Sequence, residues 1–411
     1  MVLCVILPAF LWSQSSYTLG DNALKSDKLY LIPLPVISYD PAYGFVFGAS
    51  GTGNMLLGNK EDTRLSSGIV SVTYSSFKQL VINLRSNIYT RHDKWVLMGD
   101  WRYMLSSQPT YGLGTGPQSD ILLNEERDGF ELGDYRDGVN QAELMEFRLL
   151  RIHETFLRQI GGGFYFGIGY HLDKYRKIED DLLDLSEEPP VITNHFAYSR
   201  LHDFNPKDYV VSGLSVNALF DTRDNINNPV QGRYAFLQFR VLPTWLGSSR
   251  NATSLWLEYR DYFSVNKEVP RNIIALWFYS SFMTSGRLPY MGLPAIGWDQ
   301  FSRSGRAYPQ GRFRGENLFY SEVEYRFRLP LKVKIPFLNK QPNHMGGVLF
   351  ANMTSASASD LNTRLLEYLK PGLGFGLRFM MNKETRSNIT CDYGIGTDGK
   401  GAFYFGLNEY F

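Results

Sequence analysis

The sequence predicts an all-β fold, a 16-stranded antiparallel transmembrane β-barrel, and three observations carry the prediction. Apolar residues alternate with polar or small ones in blocks of about 10 residues, the length and period of a membrane-crossing strand. The 411 residues are 15% aromatic, with 26 Tyr and 28 Phe, yet only 44% hydrophobic. That pairing suits strands that must be apolar on one side only, and no internal run is long enough for a membrane-spanning helix. The links between blocks are also sorted by parity, the very long ones following odd-numbered blocks, an asymmetry that a β-sandwich has no reason to show.

The chain opens "MVLCVILPAFLWSQSS", an apolar run from Val2 to Trp12 followed by small and polar residues. Residues 1–15 therefore read as a signal peptide with cleavage near Ser15, and the missing positive n-region reads as a truncated start. Residues 16–29 follow as a short periplasmic segment, and 30–411 as the barrel. Cys4 leaves with the signal, so Cys391 remains and there is no disulfide framework to read.

The candidate strands begin near Tyr30, Gly44, Leu65, Leu80, Lys94, Gln141, Gly163, Ser212, Arg233, Thr253, Arg271, Asn317, Met345, Gly372, Arg386 and Gly401. If the chain starts in the periplasm, tight links such as "TRHDK", "QIGGG", "NKEVPR" and "NKETR" return there. The long links, Gln108 to Asn140, Tyr175 to Val211, Gly286 to Glu316 and Ser355 to Pro371, face outward. The link from Pro330 to His344 is long where the rule expects a short one.

Faces follow from the two-residue period. After Asn317, the residues Phe319, Ser321, Val323, Tyr325, Phe327 and Leu329 share one face, and Tyr320, Glu322, Glu324, Arg326 and Arg328 the other. In "GLGFGLRFMMN" the outward set is Leu373, Phe375, Leu377, Phe379 and Met381, against Gly372, Gly374, Gly376, Arg378 and Met380. In "RSNITCDYGIG" it is Ile389, Cys391, Tyr393 and Ile395 against Asn388, Thr390, Asp392 and Gly394. Charge sits only on the inward sets.

Net charge is +1, which points to no nucleic-acid partner. The six histidines, His92, His153, His171, His195, His202 and His344, lack metal-ligand spacing, and no nucleophile elbow or P-loop appears. The reading is therefore no enzyme, no metal and no cofactor. The Gln108 to Asn140 loop carries seven acids and two arginines, a solvated loop or a cation or surface-partner site. Asp221, Arg223 and Asp224 fall at a tight turn, where such residues make turn hydrogen bonds.

The chain closes "GAFYFGLNEYF", placing Phe403, Phe405, Leu407 and Phe411 on one face and Tyr404, Gly406, Asn408 and Tyr410 on the other. Alternation to a terminal aromatic looks like the carboxy-terminal signal of barrels inserted by the outer-membrane assembly machinery. Glu409 falls on the apolar face, expected at the membrane interface, where its penalty approaches zero.

The loop "SGRAYPQGRFRGENLF" from Ser304 adds a more specific likeness, together with "SYDPAYGFVFG", "YGLGTG", "LFDTRDNINNPVQGRY" and the closing segment. In this order they resemble the BamA/TamA superfamily, the bacterial surface antigen type, in a short form lacking POTRA domains. The resemblance implies that the long sixth extracellular loop folds into the lumen and carries an Arg-Gly-aromatic tip. Here Arg306, Ala307 and Tyr308 stand in that place, followed by Gly311, Arg312 and Arg314, which are lumen or loop-packing residues. Alanine for glycine is expected to resist a positive φ.

A buried guanidinium must be paired, and arginine's planar fork suits fixed carboxylates. The family's aspartate partner is replaced by Asn352 in "FANMTS". Arg306 is thus expected to be held by Glu324 or Glu322, with Asn352 as a neutral acceptor and Asp392 nearby on the inward face. The tip either stiffens and plugs the barrel or takes an active part.

The implied role is protein insertion into, or translocation across, the outer membrane of a Gram-negative bacterium. A plugged passive pore and a lipid-handling barrel stay open as alternatives. Implied partners are outer-membrane lipids and lipopolysaccharide, client outer-membrane proteins and a separate periplasmic partner. The first strand carries Pro33 and Pro35, which cannot donate ladder hydrogen bonds, as suits a weak seam with the last strand or, equally, an ordinary tapered strand end.

Overall fold

A computed structural model describes residues 25–40, 44–117, 143–265, 272–333, 343–399 and 401–411. The expected signal peptide, the acidic residues of the Gln108 to Asn140 loop, the "NKEVPR" turn after Asn266 and most of the link after Pro330 lie outside the described residues.

The chain forms one 16-stranded sheet in which sequence order is spatial order, and every neighbouring pair is antiparallel. The first eight strands are β1 (Leu29–Asp40), β2 (Gly44–Met55), β3 (Ser66–Ser75), β4 (Leu80–Tyr89), β5 (Trp95–Thr110), β6 (Glu143–Gly161), β7 (Phe164–Asp180) and β8 (Tyr209–Asp221). The rest are β9 (Gly232–Leu242), β10 (Ala252–Ser264), β11 (Ile273–Gly286), β12 (Asn317–Val333), β13 (Asn343–Ala356), β14 (Lys370–Asn382), β15 (Ser387–Gly396) and β16 (Gly401–Leu407). All begin close to where alternation places them, the widest offset being Ser212 expected against Tyr209 observed.

The two-residue period holds because each strand has one polar and one apolar face. On β12, Val323 and Tyr325 are exposed while Glu322, Glu324 and Arg326 are buried; on β14, Leu373, Phe375 and Leu377 are exposed and Arg378 is buried. On β14 one expected outward residue departs. Met381 is buried, because the β14–β15 register shifts between Met380 and Asn382, and a bulge there re-aims the side chain.

The links also follow the expected parity. Those after β7, β11 and β13 are long, and the first carries a helix, α1 (Asn194–Leu201), capped by Thr193 accepting from the Phe196 backbone N–H. Tyr198, Phe204, Leu288, Tyr290 and Leu293 from these links share one apolar cluster with Leu113, which follows β5. Links after even strands are mostly short, as at residues 162–163 between β6 and β7 and 383–386 between β14 and β15.

Candidate functional site: a buried arginine at a loop tip

The β11–β12 link, residues 287–316, is folded on itself before it touches the sheet. Asp299 accepts from the backbone N–H groups of Arg303 and Ser304 and from the Ser304 hydroxyl at 2.6 Å, which fixes the turn that precedes the tip. Ala295 pairs with Arg314, and the Gly311 N–H donates to the Ile296 carbonyl at 2.9 Å, closing the loop into a narrow lobe. Gly311 has φ 77°, in the left-handed region that favours glycine, and a Cβ there would also displace the Gln108 amide, 2.4 Å away.

The tip lies on the polar face of β12–β15. Arg306 is 1% exposed. Its guanidinium donates to Asp392 at 2.8 Å and to Glu322 and Glu324, and it lies between the rings of Phe350 and Tyr410, 3.8 and 3.9 Å from their centroids. Burial alone would push its pKa down; the charges of Glu322, Glu324 and Asp392 outweigh it and hold the pKa well above the ordinary value.

Register explains how these groups meet. Glu322, Asn352, Gly372 and Gly396 are cross-strand neighbours in one row, and Glu324, Phe350, Gly374 and Gly394 in the next. The glycines leave the space that the tip fills: a Cβ on Gly394 would meet the Ala307 nitrogen at 2.9 Å, and one on Gly396 the Tyr308 ring at 2.4 Å. Tyr308 then donates its hydroxyl to the Pro371 carbonyl at 2.5 Å, and the Ala307 N–H donates to the Tyr404 hydroxyl at 2.9 Å.

Two local expectations are corrected. Ala307 takes φ 92°, the left-handed side that its Cβ disfavours. The contacts on both sides of it over-determine this conformation, whose strain is on the order of 1–3 kcal/mol. Asn352 is a donor, not an acceptor: its amide N–H reaches the Arg306 backbone carbonyl at 2.7 Å, because three carboxylates already surround the guanidinium.

The other loop arginines have separate tasks. Arg314 is buried and donates to the carbonyls of Tyr290 and Leu293, bracing the base of the lobe. Arg312 pairs with Asp398 of the β15–β16 link at 3.1 Å.

The chain end also belongs to this site, which alternation did not anticipate. β16 stops at Leu407, and Asn408 has φ 65°, so the last residues turn onto the polar face. Glu409 is therefore not at a lipid interface. It is buried, pairing with Arg378 at 2.7 Å and accepting from Asn388 at 2.6 Å. Phe411 likewise leaves the apolar face kept by Phe403 and Phe405; it is 2% exposed, against Trp277 at 5.3 Å, and its carbonyl oxygen accepts from Arg326 at 2.9 Å. Arg303 of the loop donates to the carbonyls of Leu407, Glu409 and Tyr410.

Arg326, bonded to Glu324 at 2.6 Å, and Arg378, bonded to Asp392 at 2.5 Å, complete one network with Arg306. The inward faces of "VEYRFRLP" and "GLRF" already carried these two arginines, and alternation put Tyr410 opposite the apolar face as well, but nothing in the spacing marked Arg303. Among the described residues no group of His, Cys, Asp and Glu is arranged to hold a metal ion. The arrangement is an interlock: it fixes a loop tip, strands β12 to β16 and a chain end to one another.

Comparison with known proteins places this geometry. No curated protein matches the chain. Among solved structures it is similar to BamA from Haemophilus ducreyi lacking POTRA domains 1–3, at 13% identity and TM-score 0.51, covering 100% of this chain and 74% of that one. It is also similar to CdiB from Escherichia coli, at 11% identity and TM-score 0.52, covering 99% and 67%, and to CdiB from Acinetobacter baumannii, at 11% and 0.49, covering 92% and 59%. At such identities the likeness is one of fold. The Omp85 superfamily domain matches residues 165–411, more than half of the chain and the whole of the interlock. The chain therefore belongs to the Omp85 superfamily, the non-enzymatic barrels of the bacterial outer membrane.

Proposed function

We propose that the sheet closes between β1 and β16 with its polar face inward, that the β11–β12 loop docks in the lumen, and that the seam admits polypeptide for insertion into, or translocation across, the outer membrane. The observation that carries this is the state of the two edges. Among the described residues β1 pairs only with β2, and β16 only with β15. Those partner strands nonetheless touch, Asn54 of β2 donating to Ser387 of β15 at 3.4 Å. Two facing edges with unused backbone groups are a template for strand addition, and the prolines of β1 weaken any ladder there further.

Two further features support a closed lumen. The loop reaches across to distant strands, Arg85 of β4 donating to Ser302 at 3.0 Å and Arg102 of β5 to the Asp299 carbonyl at 2.9 Å, while its tip is on β12–β15. Apolar side chains populate the opposite face, where they meet lipid. On this reading residues 1–15 are the signal, 16–29 a periplasmic segment and the rest the barrel. The partners are outer-membrane lipids, client proteins and a separate periplasmic protein.

The test is a lock. Cysteine pairs along Leu31–Val36 of β1 and Phe403–Leu407 of β16, in a chain carrying Cys391→Ser, are oxidised in cells that depend on this protein. The expected result is loss of function that a reductant restores. Client barrels left unassembled would identify insertion, and an exported polypeptide held in the periplasm would identify translocation. Full function in the locked chain contradicts the proposal.

A further inference from the structure

The β8–β9 link, residues 222–231, reads "TRDNINNPVQ" and supplies no charged group to the arginine interlock. Its geometry is set by its own side chains. Asp224 accepts from the N–H groups of Val230 and Gln231, and Asn225 from those of Asn227 and Asn228, which aims Asn227 away from the turn. Asn227 is 3% exposed.

What it touches is unusual for a turn residue. Its amide N–H group donates to Asn54 at 2.8 Å and to the Thr385 carbonyl at 2.9 Å. Its amide oxygen accepts from Ser67 at 3.0 Å and from Asn408 at 2.9 Å, and its backbone carbonyl accepts from the Glu409 N–H at 3.0 Å. Every hydrogen-bonding position of the carboxamide is in use. Asn54 and Ser67 belong to β2 and β3; Thr385 and Asn408 belong to the β14–β15 turn and the chain end. One side chain from the middle of the sequence thus joins the strands on one side of the β1–β16 seam to those on the other. Arg386 reinforces it, donating to Asp224 at 2.6 Å.

We infer that Asn227 is a positioning residue that staples the periplasmic end of the seam shut. The inference rests on the seam proposed above. Parting β1 from β16 at that end moves β2 away from the chain end, and both cannot keep their bonds to one carboxamide. Opening therefore requires Asn227 to release one side, leaving buried amides unpaired until the β8–β9 turn shifts. The exposed residues of that turn, Thr222, Asp224 and Gln231, are where a periplasmic partner could pull it.

The experiment is a distance measurement between spin labels on Leu31→Cys of β1 and Phe405→Cys of β16, in the full chain reconstituted in phospholipid vesicles, with its own cysteines replaced. Wild-type Asn227 should give one narrow short distance. Asn227→Asp, which keeps the shape but removes both N–H donations, to Asn54 and to the Thr385 carbonyl, should raise the long-distance population at least about tenfold, the equivalent of one to two net hydrogen bonds. A reference pair on the β6–β7 hairpin should not change. Asn54→Ala and Asn408→Ala, each removing one spoke, should give smaller shifts in the same direction, and they serve if Asn227→Asp fails to fold. An unchanged seam distance in these variants, or equal broadening in the reference hairpin, overturns the staple. If instead these shifts appear while the oxidised lock leaves function intact, the staple stands and the seam's role in function falls.

Discussion

Replacing Arg306 by alanine is expected to destabilise the folded chain by about 3–5 kcal/mol, the cost of removing one partner from a buried ion network. The loss is large because Glu322, Glu324 and Asp392 all converge on this guanidinium, each almost fully buried, and deletion leaves them to share Arg326 and Arg378. The rings of Phe350 and Tyr410 lose the cation between them as well. Arg306→Lys keeps the charge but not the planar fork that reaches three carboxylates and stacks on both rings, so it should fall between wild type and alanine. Urea unfolding in detergent micelles, followed by the gel mobility of the unheated barrel, measures both variants. An alanine variant within about 1 kcal/mol of wild type would show that the tip is not held as described.

Phe411→Ala is the second large effect expected, about 3–5 kcal/mol by the usual cost of truncating a buried phenylalanine. A terminal aromatic on a lipid-facing strand end would lose far less, since lipid refills the space. Here the ring is packed among Trp277 and Tyr262, in the apolar cluster that also holds Tyr308 and Phe313 of the loop. The same unfolding measurement decides it, with Phe403→Ala on the exposed face as the control that should change stability less.

Much of the fold was legible because a β-strand has a period of two and a membrane makes that period visible. Val323 against Glu322, or Leu377 against Arg378, could be assigned to faces from sequence alone, and the structure keeps those assignments. Alternation reports direction only while the strand continues, however. A bulge reverses Met381, and a single positive φ at Asn408 turns Glu409 and Phe411 from the lipid side into the ion network. The carboxylates around Arg306 could be named because they lie on inward positions of neighbouring strands. Its aromatic neighbour Tyr410 also fell opposite the apolar face, but its place against Arg306 could not be read, because the chain changes direction at Asn408. Asn227 was hidden for a similar reason: asparagine in a turn ordinarily bonds to its own loop, and only the three-dimensional path of the chain brings β2, β3 and the chain end within its reach.

The claim on which the account depends is that the loop tip is shut away on the polar face of the assembled protein. Reaction with a membrane-impermeant thiol reagent tests it, comparing Ala307→Cys with Gln310→Cys in assembled chains that carry Cys391→Ser; Ala307 is buried and Gln310 exposed. Rapid labelling at 310 with protection at 307, lifted by urea, is the predicted result, and equal rapid labelling at both positions before denaturation would contradict the account.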